Sequence, residues 1–140
     1  MRSRPAEDPF PPATILVVES NPAAAEMLVM VLATAGYQTV STASGERALS
    51  TQAKLKPDLI VVGPSRTDMY PAALCGALRA RTGAPILVLS SDIDTGTVEQ
   101  VLAAGAWECL LVPIPARDLQ THITALLHSS RGRKSIAIAV

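Results

Sequence analysis

The side chains that could do chemistry in this chain come directly after short apolar runs. The positions after four of these runs are Glu19 and Ser20, Gly63, Ser90 and Ser91, and Val112 with Pro113. Parallel strands bring the residues after their carboxyl ends to one edge of a sheet, which is where α/β proteins bind ligands. This set contains one carboxylate, that of Glu19, and no Lys or Arg. One carboxylate is too little to hold a metal ion and activate a phosphoryl acceptor.

Five apolar runs alternate with helical patterns along the chain. The runs span residues 14–18, 37–40, 59–62, 85–89 and 109–112, and the helical patterns span residues 22–35, 44–55, 71–81, 95–104 and from 115 onward. The runs are apolar at nearly every position, which is typical of parallel strands buried on both faces. Right-handed crossovers then predict an α/β fold: a flavodoxin-like (βα)5 doubly wound parallel sheet with strand order 2-1-3-4-5.

Composition favours one globular domain whose net charge creates no strong electrostatic field around the protein. The chain has 140 residues, 49% of them hydrophobic, and its 12 basic and 12 acidic residues give zero formal net charge. Such a balance gives no general attraction to nucleic acid or to an anionic membrane. No apolar stretch approaches the roughly 20 residues that a membrane helix needs. We therefore expect a cytoplasmic protein without a membrane partner.

The two ends of the chain differ from its centre. Residues 1–12 hold four prolines and little to bury, which predicts a disordered arm, and the domain is expected to span residues 13–129. Residues 130–140 begin with a basic segment, and their last six residues are apolar at alternate positions, as in an edge strand. This tail is a candidate linker to a second domain.

Cysteines and histidines give no metal or disulfide pattern. Cys75 and Cys109 stand singly in a helical and a strand pattern, which favours buried free thiols. His122 and His128 are six residues apart on the last helix and so lie on different faces. We expect surface histidines and no metal site.

Two further groups of charged residues lie in loops near the ends of the third and fourth strands. Arg66 and Asp68 lie in the loop after the third strand, where a solvated loop pair is expected. Asp92 and Asp94 follow the fourth strand and are expected to cap the fourth helix.

Three stretches, residues 15–22, 56–62 and 105–113, resemble the receiver domains of bacterial two-component response regulators. The likeness covers about residues 13–129. Carried over by position, the family's two acids fall on Glu19 and Ser20, its phosphoacceptor Asp on Gly63, its Ser or Thr on Ser90, its switch aromatic on Cys109 and its Lys on Val112. Four of these six positions lack the family's residue type.

This resemblance implies a degenerate receiver, or pseudo-receiver. The expected function is a phosphorylation-independent module for protein interaction or dimerisation, set in front of a DNA-binding domain or standing alone as an adaptor in signalling. It implies no enzymatic activity, no cofactor and no Mg²⁺, and contact with nucleic acid only through a domain outside this chain. The alternative is a sensor that binds a metabolite where Gly63 and Val112 leave a small, apolar crevice.

The resemblance also implies two structural features. The peptide bond between Val112 and Pro113 is expected to be cis. Val98, Val101, Trp107 and Glu108 are candidates for an interface formed by the fourth helix, the fifth strand and the fifth helix. The alternative for Trp107 is a local lid over Val101 and Leu102.

Overall fold

The computed structural model describes residues 12–91 and 95–139, and of Thr95 and residues 131–139 it describes the backbone alone. Residues 1–11 of the predicted arm and the predicted caps Asp92 and Asp94 lie outside the described residues. The strands are β1 (Thr14–Val18), β2 (Gln38–Thr42), β3 (Leu59–Val62), β4 (Ile86–Ser90) and β5 (Glu108–Leu111). The helices are α1 (Pro22–Thr34), α2 (Gly45–Leu55), α3 (Pro71–Arg79), α4 (Thr95–Ala104) and α5 (Ala116–Ala139).

The five strands form one parallel sheet in the order β2-β1-β3-β4-β5, which confirms the predicted fold. The central strands β1, β3 and β4 are almost wholly buried, as their continuous apolar runs predict. Alternate residues of these strands supply two separate cores. One core lies under α1 and α5, and the other lies under α2, α3 and α4.

Local signals explain where the first two helices begin. Asn21 accepts a hydrogen bond from the amide of Ala24 (3.0 Å), and Pro22 follows at the first helical position. Ser44 caps α2 in the same way through the amide of Arg47 (3.1 Å). Both polar caps turn the chain back over the sheet just after a strand, so the residues after the strands are held at its carboxyl edge.

Two edge strands are displaced from their predicted bounds. The amide of Tyr37 bonds to the carbonyl of Leu32 (3.2 Å) and closes the turn after α1, so β2 begins at Gln38 and ends at Thr42. Strand β5 begins one residue early, at Glu108. Both strands lie at the sheet edges and include polar residues, which the search for apolar runs passed over.

The edge strand predicted at the end of the chain is wrong. Helix α5 continues through this segment to Ala139. An alternation over six residues, three of them alanine or serine, is compatible with either a strand or a helix, and the helix already begun at Ala116 decides it.

Candidate functional site

The carboxyl edge of the sheet brings the predicted site residues together. The ladders continue beyond the strands through three backbone hydrogen bonds: from Glu19 to Thr42 (2.9 Å), from Gly63 to Val18 (2.8 Å) and from Val112 to Ser90 (2.9 Å). The candidate residues therefore occupy fixed positions at one edge, as the sequence predicts.

The carboxylate of Glu19 is buried at this edge, with 1% of the residue exposed. Oε2 accepts a hydrogen bond from the amide of Asn21 (2.7 Å), and Oε1 accepts one from the amide of Ser65 (3.3 Å). Two backbone donors thus satisfy both oxygens. A buried carboxylate with such partners is a stable structural element without any metal ion.

Gly63 makes the room that this carboxylate occupies. A Cβ atom placed on Gly63 would overlap with Glu19 Oε1 and would lie 3.0 Å from its Cδ and 3.2 Å from its Cβ. The overlap with Oε1 is closer than real Cβ atoms come to a neighbour, and the other two distances are tighter than most such contacts. The side chain of Glu19 and any side chain at position 63 therefore compete for one volume.

The loop between β3 and α3 is fastened over the site by polar contacts. Ser20 donates its hydroxyl hydrogen to the carbonyl of Arg66 (2.7 Å). Asp68 accepts hydrogen bonds from the amides of Gly45 (2.6 Å) and Glu46 (3.2 Å) at the start of α2. The Gly45 hydrogen bond is the main reason that the pKa of Asp68 lies below its ordinary value of 3.8.

Arg66 and Asp68 are both exposed in this loop, as expected, but each has a partner of its own. Asp68 turns to the free amides of a helix N-terminus, which need acceptors. The guanidinium of Arg66 lies 5.5 Å from the ring centre of Tyr70, in cation–π geometry.

Arg66 also corrects the expectation that the crevice contains no cation. It lines a cavity of about 370 Å³ between the ends of β3 and β4, the following loop and α4. Val62, Leu74, Val88 and Val101 form part of its apolar lining, and Ser90, Thr97 and Gln100 are among its polar residues. The sequence analysis placed Arg66 in a solvated loop and did not predict that this loop lines the crevice. The eight residues between Val62 and Pro71 were the available signal, since a loop of that length can fold back over the sheet edge.

Val112, after β5, places an uncharged side chain on the other side of the site. It is half-buried and packs against the core under α1 and α5. The peptide bond between Val112 and Pro113 is cis, as expected.

The predicted interface residues do not form one exposed face. Val101 is 1% exposed and belongs to the core under α4, so its assignment to an interface is wrong. Val98 is half-buried. Glu108 Oε2 lies 2.8 Å from Nδ1 of His122, which joins β5 to α5. The interface role of the three remaining candidates, Val98, Trp107 and Glu108, stays a prediction.

Trp107 is half-buried and packs against the core that α5 covers. Val101 belongs to the core on the opposite face of the sheet. The alternative of a lid over Val101 and Leu102 is therefore wrong. Trp107 directly precedes β5, and its indole lies on the side of the sheet that α5 covers.

The surroundings of the cysteines and histidines show burial or exposure but no grouping of metal ligands among the described residues. Both thiols are free; Cys75 is buried and Cys109 is half-buried. Burial, and secondarily the nearby Cys109, raises the pKa of Cys75 to about 11, and burial raises the pKa of Cys109. His128 is exposed. Within residues 12–91 and 95–139, no three His, Cys, Asp or Glu side chains are grouped as metal ligands would be.

Comparison with known proteins places this fold and site in a family. The model of the response regulator receiver domain matches residues 15–124. The chain belongs to this family. The receiver resembles MtrA, a DNA-binding response regulator of Mycobacterium tuberculosis, with 34% identity over 113 residues that are 81% of this chain and 50% of MtrA. Identity to the MtrA of Mycolicibacterium smegmatis is 31% over 126 residues, covering 90% of this chain and 55% of that protein. The receiver spans about half the length of these curated relatives.

Solved structures agree with this assignment. A receiver domain of a signal transduction histidine kinase from Syntrophus aciditrophicus is 30% identical, with a TM-score of 0.76 over 84% of this chain and 91% of that one. A CheY-like receiver domain protein from Methanospirillum hungatei has a TM-score of 0.82 over 88% of this chain and 99% of that one. At 21% identity, this second likeness shows the fold alone. In the described part of the receiver, no helix has both the length and the apolar character of a membrane span.

Proposed function

We propose that this receiver works without phosphorylation, as a protein-interaction and dimerisation module in bacterial signalling or transcription regulation. The observation that carries the proposal is the contact between Glu19 and Gly63. By resemblance, position 63 is where the family places its phosphoacceptor Asp. Here that position has no side chain, and the neighbouring carboxylate fills the volume that a side chain would need.

The donor set does not fit Mg²⁺. Magnesium requires near-octahedral oxygen ligands, usually one or two carboxylates with waters and phosphate oxygens. Among the described residues directly after the strands, Glu19 is the single carboxylate, and both of its oxygens accept backbone hydrogen bonds. Ser20, at the second acidic position of the family, uses its hydroxyl to hold the loop at Arg66. The arrangement therefore stabilises the loop instead of providing a metal site.

The carboxyl edge of the sheet also offers little positive charge to neutralise a phosphoryl group. Phosphoryl transfer depends on positioned cations and acceptors because the transition state spreads charge over several oxygens. Val112 stands where the family has its Lys, and its side chain packs into the core. Arg66 is at the cavity but faces Tyr70. These features support a receiver with no enzymatic activity and no cofactor.

The output is then carried by the surfaces of the domain. Its relatives include regulators named for DNA binding, and this chain spans about half of their length. Zero net charge gives the receiver itself no general attraction to DNA. We place contact with nucleic acid in another domain or another protein, and contact with protein partners in the receiver.

A second candidate function is favoured by the cavity beside Gly63. Its volume of about 370 Å³ falls within the range of small-molecule sites, at the edge where α/β sheets bind ligands. Arg66 and Tyr70 among its lining residues suit a small anion with a flat or apolar body. Such a metabolite would supply the signal in place of phosphate.

Amide NMR spectra of the protein test whether it works without phosphorylation. Mg²⁺ with beryllofluoride, a mimic of the phosphoryl group, is expected to leave the amide signals of residues 19, 63 and 90 in place. Saturable shifts of those signals would overturn the proposal.

For the second candidate, a thermal-shift screen of small carboxylates tests the cavity, because a ligand that binds the native state raises the melting temperature. An Arg66→Ala variant is the matched control, since it removes the only cation that lines the cavity among the described residues.

A further inference from the structure

A second cavity lies at the other edge of the sheet, where β3 and β4 begin. Its volume is about 780 Å³, within the range of small-molecule sites. The end of α2, the segments that lead into β3 and β4, and α5 surround it. We term it the amino-edge cavity and define it by five of its lining residues, Gln52, Lys56, Asp58, Arg81 and Leu127. The function proposed above does not use this cavity.

Gln52 is a lining residue whose side-chain oxygen the protein leaves without a partner. The residue is 6% exposed, and its Oε1 atom accepts no hydrogen bond from the described residues. Buried acceptors without a donor are destabilising and rare in folded proteins. The last side-chain torsion of glutamine is broad, so the amide can turn its oxygen or its nitrogen to the cavity. This amide therefore favours a ligand that carries an N–H or O–H donor.

Two exposed cations, Lys56 and Arg81, line the same cavity. Neither forms an ion pair within the described part of the receiver. Nη1 of Arg81 donates a hydrogen bond to the carbonyl of Ala77 (2.8 Å), which holds the side chain and leaves its other N–H groups available. The planar fork of an arginine beside the point charge of a lysine suits a phosphate group. The two side chains therefore favour an anionic ligand.

Asp58 limits where the anionic group of such a ligand can lie. Its Oδ2 atom accepts a hydrogen bond from the amide of Thr14 (2.8 Å), which fixes the side chain at the start of β1. Its other oxygen can accept a hydroxyl hydrogen but repels an anion placed next to it. A ligand that fits all these groups has its anionic end at Lys56 and Arg81 and a hydroxyl group at Asp58.

We propose that the amino-edge cavity binds a nucleoside monophosphate. The phosphate lies at Lys56 and Arg81, and a ribose hydroxyl donates to Asp58. The base pairs with the amide of Gln52, as glutamine pairs with the edge of adenine in nucleic-acid recognition, and Leu127 supplies apolar surface for its ring. The inference is independent of the function proposed above, because the two cavities lie at opposite edges of the sheet.

Amide NMR spectra of the full chain, titrated with AMP, GMP, CMP and UMP, test the site. At least one nucleotide is expected to give saturable shifts at residues 52, 56, 58 and 81–83 at millimolar concentration or below. The corresponding nucleoside and inorganic phosphate should each bind at least about tenfold more weakly, because each makes only part of the contacts. No saturable shift with any of the four nucleotides would overturn the proposal. Inorganic phosphate that binds as tightly as the nucleotide would also overturn it, since the site would then recognise an anion alone.

Two variants separate ligand binding from folding. Gln52→Leu and Lys56→Met are each expected to weaken nucleotide binding at least about fivefold. Lys54→Met is the matched control, since Lys54 is a cation in the last turn of the same helix but does not line the cavity. Its binding should equal that of the wild type.

The stability of Gln52→Leu gives a second readout. Without nucleotide its free energy of unfolding should equal or exceed that of the wild type, because the substitution removes a buried oxygen that has no partner. A clear loss of stability would show that the amide serves the fold and would overturn its role in binding. Wild-type binding by both Gln52→Leu and Lys56→Met, or an equal loss in Lys54→Met, would overturn the site itself.

Discussion

The carboxylate of Glu19 occupies the volume into which a side chain at Gly63 would project. Both oxygens of that carboxylate are held by backbone amides, and the residue is buried. The two positions are therefore coupled: the observed conformation of Glu19 requires glycine at position 63. The Glu19 side chain thus fills the space at the sheet edge that a side chain at position 63 would otherwise occupy.

Gly63→Ala is expected to lower the free energy of unfolding by about 1–3 kcal/mol, as in other overpacked cores. The added methyl group would overlap with the Glu19 carboxylate. Urea denaturation measures the change. Gly83→Ala is the control, because a Cβ there meets nothing within 4 Å, and its effect should stay within about 0.5 kcal/mol.

The coupling between the two residues has its own test. In a Glu19→Ala background the overlap disappears, so Gly63→Ala should cost less than it does in the wild type. Equal costs in both backgrounds would show that the strain at position 63 comes from another neighbour.

Asp68→Asn is expected to lower the melting temperature at neutral pH. Its pKa is held below the ordinary value chiefly by the Gly45 amide. A carboxyl group with a lowered folded-state pKa stabilises the fold above its unfolded pKa, and this contribution is lost as the pH falls through the folded pKa. The difference from the wild type should therefore shrink below about pH 4.

Thermal denaturation at a series of pH values measures this effect. Glu99→Gln, which removes an exposed carboxylate on α4, is the control and should leave the melting temperature near that of the wild type. A difference for Asp68→Asn that is the same at neutral and acidic pH would rule out the charged cap as its cause.

Sequence patterns predict the centre of this fold better than its edges. Strands β1, β3 and β4 are continuous apolar runs because helices cover both of their faces. The edge strands extend to Thr42 and from Glu108, polar residues that an apolar search does not detect. The alternation near the end of the chain was too short to distinguish a strand from the continuing α5.

The sequence predicted which residues lie at the candidate site, but it did not predict the contacts between their side chains. The strand order brings Glu19 and Gly63 to one edge, and this follows from the sequence. Whether the Glu19 side chain turns over Gly63 depends on its rotamer and on the amides of Asn21 and Ser65. The paths of Arg66 and Asp68 depend on the loop after β3, which has no periodicity to predict it.

Trp107→Ala is expected to lower the free energy of unfolding by about 2 kcal/mol, less than for a fully buried Trp because the indole is half-buried. It packs against the core under α5. Core packing alone predicts unchanged association, whereas the interface role predicted for Trp107 from the sequence requires that association is lost. Chemical denaturation and sedimentation, with the exposed Leu102→Ala as control, measure both quantities. A variant with normal stability and lost dimerisation would instead place Trp107 in the interface.

Alkylation should distinguish the two thiols of the native protein. The thiolate is the reactive form, and burial raises the pKa of Cys75 to about 11. Iodoacetamide at pH 8 is therefore expected to modify the half-buried Cys109 before Cys75 and to modify both quickly in urea. A Cys109→Ser variant isolates the slow site. Native Cys75 that reacts as fast as in the unfolded chain would contradict the buried environment.

Intact-mass spectrometry after treatment with acetyl phosphate and Mg²⁺ tests phosphorylation independence most directly. A receiver that has the phosphoacceptor Asp serves as the positive control. The unmodified mass is expected for the wild type and also for Gly63→Asp, because Glu19 fills the site and Ser20 and Val112 supply neither a second acid nor a cation. A wild-type mass increased by one phosphoryl group, with the modification located on any carboxylate of the chain, would contradict the account.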